Sequence, residues 1–129
     1  MNNRIVVLGA GISGVGAAVL AKRKGFSVFI SDFNKISSQN KKILENNNIY
    51  WEHNGHSESK ILNADEVIKS PGISNSAEII LKLRLLKIPI ISEIEFVYRY
   101  TNAKTIAITG SNGKTTTTLI IGHILKKAG

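Results

Sequence analysis

Lysine and threonine directly behind a glycine loop, as in Thr109-Gly110-Ser111-Asn112-Gly113-Lys114-Thr115-Thr116, are the residue types that hold a nucleotide phosphate. Glycines let successive backbone N–H groups turn toward one anion, and a helix starting behind them adds the positive end of its dipole. In such chemistry Lys114 reaches the β- and γ-phosphates, and the Thr115 hydroxyl holds Mg2+. The spacing is a shortened form of G-x-x-x-x-G-K-[ST]: Ile108 stands five residues before Gly113, and the first glycine, Gly110, only three before it. A plain glycine turn capping a helix is the competing reading. Context argues against it, because an apolar run precedes the loop (Thr105-Ile106-Ala107-Ile108) and a helical pattern follows it (Leu119, Ile120, Ile121, Ile124, Leu125).

A second anion loop lies near the start, Gly9-Ala10-Gly11-Ile12-Ser13-Gly14, with Asp32 18 residues beyond Gly14. Strand, G-x-G-x-x-G, helix, strand and acid, in that order, form the dinucleotide fingerprint. It predicts a diphosphate on the helix start. It does not choose between NAD and another nucleoside diphosphate, since the same amides serve both. A third stretch, Ser70-Pro71-Gly72-Ile73, is a rigid turn after an apolar run. At the carboxyl edge of an open α/β sheet such a turn meets ligands, although a structural turn fits the spacing equally well.

The elements that must position these loops alternate. Arg4–Leu8, Ser27–Ser31, Ile49–His53, Asp65–Lys69 and Ile88–Ile91 read as short strands, rich in β-branched residues and buried on both faces. Between them fall helices: one through Val15 to Ala21 stopped at Gly25, a polar one over Ser37–Asn48 anchored by Ile43 and Leu44, and a short one within Ser57–Asn63. A fourth spans Ala77–Leu86, with Ile79, Ile80, Leu83 and Leu86 inward. Ser92 caps a further helix, with Glu93 and Glu95 in its first turn and Phe96, Val97 and Tyr100 as apolar contacts. The pattern predicts an α/β fold: a Rossmann-like doubly wound parallel sheet over residues 1–92, then the first strand (Lys104–Thr109), P-loop and helix of a second α/β domain over 93–129. One strand and two helices cannot bury a core alone, so the second unit is expected to continue in a longer natural protein.

Composition narrows the partners. Lys and Arg total 17 against 9 Asp and Glu, a formal charge of +8, which favours anionic ligands. The cations are scattered (Lys22-Arg23-Lys24, Lys41-Lys42, Lys126-Lys127) and fall late in the helices, where they complement the dipole. No stacking aromatics are interleaved with them, so a nucleic-acid partner is not expected. No apolar run reaches the roughly 18 residues of a membrane span, and no membrane partner is expected. Cysteine is absent, and with it any disulfide or thiolate metal site. A cytoplasmic protein is the expectation. His53 and His56 lie three apart with no carboxylate or cysteine at ligand spacing, and His123 stands alone; all three read as structural.

Taken together, Gly9–Gly14, Ser70–Ile73 and Thr109–Thr116, with Glu93-Ile94-Glu95 between the last two, resemble the Mur ligases of peptidoglycan synthesis. Asn112 in the second loop and the Ser70-Pro71-Gly72 turn are similar to the members that add D-glutamate. The resemblance implies that the first loop holds the diphosphate of UDP-N-acetylmuramoyl-L-alanine, not NAD. It places Gly11, Ile12 and Ser13 on that diphosphate, Ser13 through both N–H and hydroxyl. Asp32 and Phe33 fall at the uracil, and Ser70, Pro71 and Gly72 at the sugar. Gly110, Ser111, Asn112, Gly113, Lys114, Thr115 and Thr116 would bind ATP, with Lys114 catalytic on the transferred phosphoryl and Thr115 on Mg2+. Phe33 and Asn34 depart from the small polar residue or arginine common beside that aspartate. The implied reaction activates the L-alanine carboxylate as an acyl phosphate, which the amine of D-glutamate then attacks. The segment alone is not expected to catalyse it. An NAD-dependent oxidoreductase would account for Gly9–Gly14 and Asp32 but has no use for Lys114 and Thr115.

Overall fold

The computed structural model describes residues 3–129. Five strands form one parallel sheet: β1 (Arg4–Leu8), β2 (Ser27–Ser31), β3 (Tyr50–Glu52), β4 (Glu66–Lys69) and β5 (Ile90–Ser92), in the spatial order β3-β2-β1-β4-β5. The order reverses beside β1, as in a doubly wound sheet. Helices α1 (Ile12–Arg23), α2 (Ser38–Asn46), α3 (Glu58–Ile61), α4 (Glu78–Leu85) and α5 (Glu93–Tyr98) connect or follow the strands, and α6 (Lys114–Ala128) comes last.

The continuous apolar strands are explained by burial on both faces. Successive side chains of a strand point oppositely. Ile5, Val7, Val28 and Ile30 therefore join one core with Val15, Ala18 and Ala21 of α1, Leu44 of α2 and Phe96 of α5. Val6, Leu8, Phe29 and Val67 join the other with Ile61 of α3 and Ile79, Ile80 and Leu83 of α4. The alanines of α1 let that helix lie close against the centre of the sheet.

The register decides where the loops gather. Leu8 lies opposite Ser31 on one side and Lys69 on the other; Ser31 lies opposite Glu52, and Lys69 opposite Ser92. The last residues of all five strands thus form one row. Gly9, Asp32, His53, Ser70 and Glu93 each follow that row directly in sequence.

Several expectations change. Leu86 is not inward but 56% exposed, because α4 ends at Leu85 and Leu86 already forms its C-cap. Of the apolar residues expected from α5, Phe96 is fully buried while Val97 is 41% exposed. Residues 93–98, beyond the boundary expected near Ser92, pack back onto the first sheet. Phe96 meets Phe26 edge-on, and Arg99 forms a two-pronged ion pair with Glu66 of β4 at 2.8 and 2.9 Å. The strand expected over Lys104–Thr109 is not formed: this stretch carries no ladder hydrogen bonds, and Ile106 is 56% exposed. A strand needs a neighbour to satisfy its backbone, and no further strand stands beside it among the described residues. Helix α6 forms as expected but buries no residue, leaving Leu119, Ile120, Ile124 and Leu125 more than half exposed. Among the described residues no helix is long and apolar enough to cross a membrane.

Candidate functional site

The first glycine loop turns directly from β1 into α1. Gly9 has φ of 100°, open to glycine and strained for other residues, and a Cβ there would lie 2.7 Å from the Cβ of Ser70. The first loop and the Ser70-Pro71-Gly72 turn are therefore in contact. At the far end of the loop, a Cβ on Gly14 would fall 2.0 Å from the carbonyl oxygen of Gly9. That glycine lets α1 start against the loop. Val15 is the first α1 residue whose amide closes a turn, onto Gly11 at 2.9 Å. Among the described residues the amides of Ile12, Ser13 and Gly14 have no backbone acceptor, which is the free donor set of a helix start.

Asp32 follows β2 and fastens the loop from the side. One carboxylate oxygen accepts from the Ala10 N–H at 2.7 Å and the other from the Asn34 N–H at 2.8 Å. Each oxygen keeps a second lone pair. Asn40 of α2, which the sequence did not single out, adds a bond from its amide to the Ala10 carbonyl at 2.8 Å.

A cleft of about 410 Å³ opens over this edge, and Gly9, Gly11, Asp32, Phe33, Ser70 and Gly72 line it together with His56. Three stretches far apart in sequence are thus joined in one concavity. Ile12 is 90% exposed at the start of α1, and its side chain is not part of the cleft wall. Pro71 lines a neighbouring hollow with Lys69 and Ser92. Ser13 turns away: its hydroxyl donates to the carboxylate of Glu93 at 3.2 Å, on the side of the helix facing α5.

His56, structural by its sequence spacing, instead lines the cleft. Its Nδ1 lies 2.7 Å from the hydroxyl of Ser31, a fully buried residue, which also donates to Glu52 Oε1 at 2.9 Å. Glu52 takes further bonds from the Ser57 N–H at 2.7 Å and Lys60 Nζ at 3.2 Å. Burial pushes the Glu52 carboxyl up, but the bonds from Ser57, Ser31 and Lys60 outweigh it and hold the group below its ordinary value. For His56 burial dominates and lowers the imidazole, against the pull of the Glu52 and Asp32 carboxylates. The available signal was position: Ser31 and Glu52 end adjacent parallel strands, at the edge where ligands bind. His53 accepts from the Ile36 N–H at 3.3 Å, and no group of three or more metal-ligating side chains exists among the described residues.

The second loop is not part of the cleft wall. Gly110 and Gly113 have φ of 149° and 77°, and Gly113 caps the fifteen-residue α6, whose first residue is Lys114. The Lys114 ammonium folds back onto the Gly110 carbonyl. Glycines with positive φ, a long helix start and a lysine curled over the loop suit a phosphate group. The Thr115 hydroxyl makes no hydrogen bond among the described residues.

Comparison with known proteins matches residues 4–79 to the family model described as the MurD N-terminal domain. The UDP-N-acetylmuramoylalanine--D-glutamate ligase of Bacteroides fragilis is 63% identical over 126 residues, which covers 98% of this chain and 28% of that protein. The chain spans under a third of the length of the curated relatives it matches. Among solved structures, a murein peptide ligase from Psychrobacter arcticus superposes with a TM-score of 0.73 at 26% identity, over 99% of this chain and 27% of that one. A pseudomurein peptide ligase type C from Methanothermus fervidus does so with a TM-score of 0.66 at 34% identity, over 99% and 27%.

Proposed function

This chain belongs to the MurD N-terminal domain family, and we propose that it is the nucleotide-substrate domain, with the opening of the ATPase domain, of a cytoplasmic ligase that adds D-glutamate to UDP-N-acetylmuramoyl-L-alanine. The observation that carries this reading is the single cleft that draws Gly9 and Gly11, Asp32 and Phe33, and Ser70 and Gly72 from three separate βα turns. The diphosphate sits at the α1 start, on the unpaired amides of Ile12 and Ser13. The uridine lies toward Asp32 and Phe33, and the sugar toward Ser70, Pro71 and Gly72. The Ser13 contact is through its N–H, because its hydroxyl is engaged by Glu93. We place the start of the second domain after α5 rather than at Ser92, since Phe96 is part of the first core.

In the second domain, residues Gly110 to Thr116 hold ATP, which supplies the phosphoryl group, and Thr115 ligates the Mg2+ that neutralises phosphate charge. Lys114 leaves the Gly110 carbonyl for the phosphate oxygens and orients the group to be transferred. The carboxylate of L-alanine is a poor acyl donor until one of its oxygens becomes a leaving group. Attack of a carboxylate oxygen on the γ-phosphorus breaks the bond to the β,γ-bridging oxygen, releasing ADP and leaving an acyl phosphate. The neutral amine of D-glutamate then attacks the acyl carbon, and the amide forms as inorganic phosphate departs and the nitrogen gives up a proton. The protein's part is to bring two anions together and offset their repulsion. An NAD oxidoreductase gives Lys114 and Thr115 no role, and the relatives named above are ligases.

Calorimetric titration with UDP-N-acetylmuramoyl-L-alanine and, separately, NAD tests the reading. Binding of the UDP compound, weakened by Asp32→Ala, is expected. Binding of NAD without the UDP compound would overturn it.

A further inference from the structure

The Ser31 hydroxyl has one proton and three neighbours. Two of them, Glu52 Oε1 at 2.9 Å and the Gly55 carbonyl at 3.4 Å, can only accept when Glu52 is ionised. The third is His56 Nδ1 at 2.7 Å. If Ser31 donated to His56, the hydroxyl oxygen and the Glu52 carboxylate would face each other without a proton between them, in a part of the fold where Ser31 is fully buried. The network closes only when Ser31 donates toward Glu52 and His56 donates from Nδ1 to Ser31. Burial holds the His56 imidazole below its ordinary value, so at neutral pH the ring carries a single proton; with that proton on Nδ1, the second nitrogen, Nε2, is a bare acceptor. It lies on the ring edge away from Ser31, in a residue that lines the cleft, and has no partner among the described residues. The ring of Phe33, 70% exposed, stands 6.1 Å from His56 and offers a face for stacking.

We propose that His56, locked as the Nδ1–H tautomer by Ser31 and Glu52, reads the base of the nucleotide by accepting a hydrogen bond at Nε2 from a ring N–H, and so selects a uracil-type imide over cytosine. Uracil carries a donor at N3; cytosine carries a lone pair there, which would oppose that of Nε2. This rests on the reading that the cleft takes the uridine end of the substrate. A site built to pair with a donor rejects an analogue lacking it, because its own acceptor is left unpaired.

The test titrates the chain with UDP and with CDP, and records the nitrogen-15 signals of its histidines. The wild type is expected to prefer UDP by roughly tenfold or more. His56→Phe, which keeps a ring and removes the acceptor, should bring the two nucleotides to within about twofold, chiefly through weaker UDP binding. Ser31→Ala, which releases the tautomer, should reduce the preference as well. In the wild type the His56 signals should show a protonated Nδ1 and a bare Nε2. An unchanged UDP preference in a folded His56→Phe variant would overturn the inference while leaving the substrate reading intact, as would an Nε2–H tautomer. Failure of the wild type to bind either nucleotide would overturn both.

Discussion

The hydroxyl of Ser13 donates to the carboxylate of Glu93 at 3.2 Å, joining the first turn of α1 to the first residue of α5 across eighty positions of sequence. Glu93 is only 6% exposed, and Ser13 is its one side-chain partner among the described residues. Ser13→Ala leaves a buried carboxylate short of a donor and is expected to lower unfolding stability by about 1–3 kcal/mol. Glu93→Gln keeps an acceptor for Ser13 without the charge and should cost less. Urea denaturation of both variants measures this. A Ser13→Ala midpoint equal to that of the wild type would show that the pair does not fasten α5.

Two glycines of α1, at positions 14 and 16, behave oppositely. Gly14→Ala would drive a Cβ against the backbone oxygen of Gly9, and should destabilise by about 1–3 kcal/mol or more and weaken nucleotide binding with it. Gly16 has nothing within 4 Å of its Cβ position and sits in the helix interior. Gly16→Ala should stabilise by about 0.5–1 kcal/mol. Thermal melts of the two variants should move in opposite directions.

Acid should act through Glu52 and His56. Both have folded values below their ordinary ones, so the unfolded chain binds protons more readily and stability rises with pH. The His56 contribution is complete above its unfolded value of 6.5 and is lost as pH falls through its lowered folded value. The Glu52 contribution is complete above 4.5 and is lost further down. Urea midpoints at a series of pH values from neutral downward should therefore decline in two stages. His56→Phe should remove the upper stage and Glu52→Gln the lower; a wild-type midpoint independent of pH would contradict both assignments.

In the full-length ligase, Lys114→Ala should weaken ATP roughly ten- to hundredfold, the value of one hydrogen bond to a charged group. Binding of the UDP substrate should be unaffected, because Lys114 does not line its cleft. Calorimetry with each ligand separates the two. Equal losses for both would place Lys114 in the substrate cleft instead.

Local patterns were sufficient for most of the fold. Short β-branched runs of Arg4–Leu8 and Ser27–Ser31 appear as strands with those bounds, and Ser92 caps α5 by accepting from the Glu95 N–H at 3.1 Å. The first loop was legible because glycine spacing between a strand and a helix reports a backbone requirement written in consecutive residues, and the second because Gly110 and Gly113, both at positive φ, stand directly ahead of α6. Residues 104–109 show the limit of such patterns: their apolar run has strand character, but pairing depends on a neighbour that sequence periodicity does not supply. His56 shows the other limit. Its tautomer and its place in the cleft depend on Ser31 and Glu52, brought beside it by the parallel register of β2 and β3. Legible without the structure were a doubly wound sheet, two glycine loops and the family they resemble. Folding alone settled that Ser13 gives its hydroxyl to Glu93, that α5 belongs with the first sheet, and that His56 stands beside Ser31 at the wall of the cleft. A hydroxyl has one proton to give, and which acceptor receives it depends on groups that only folding brings within reach.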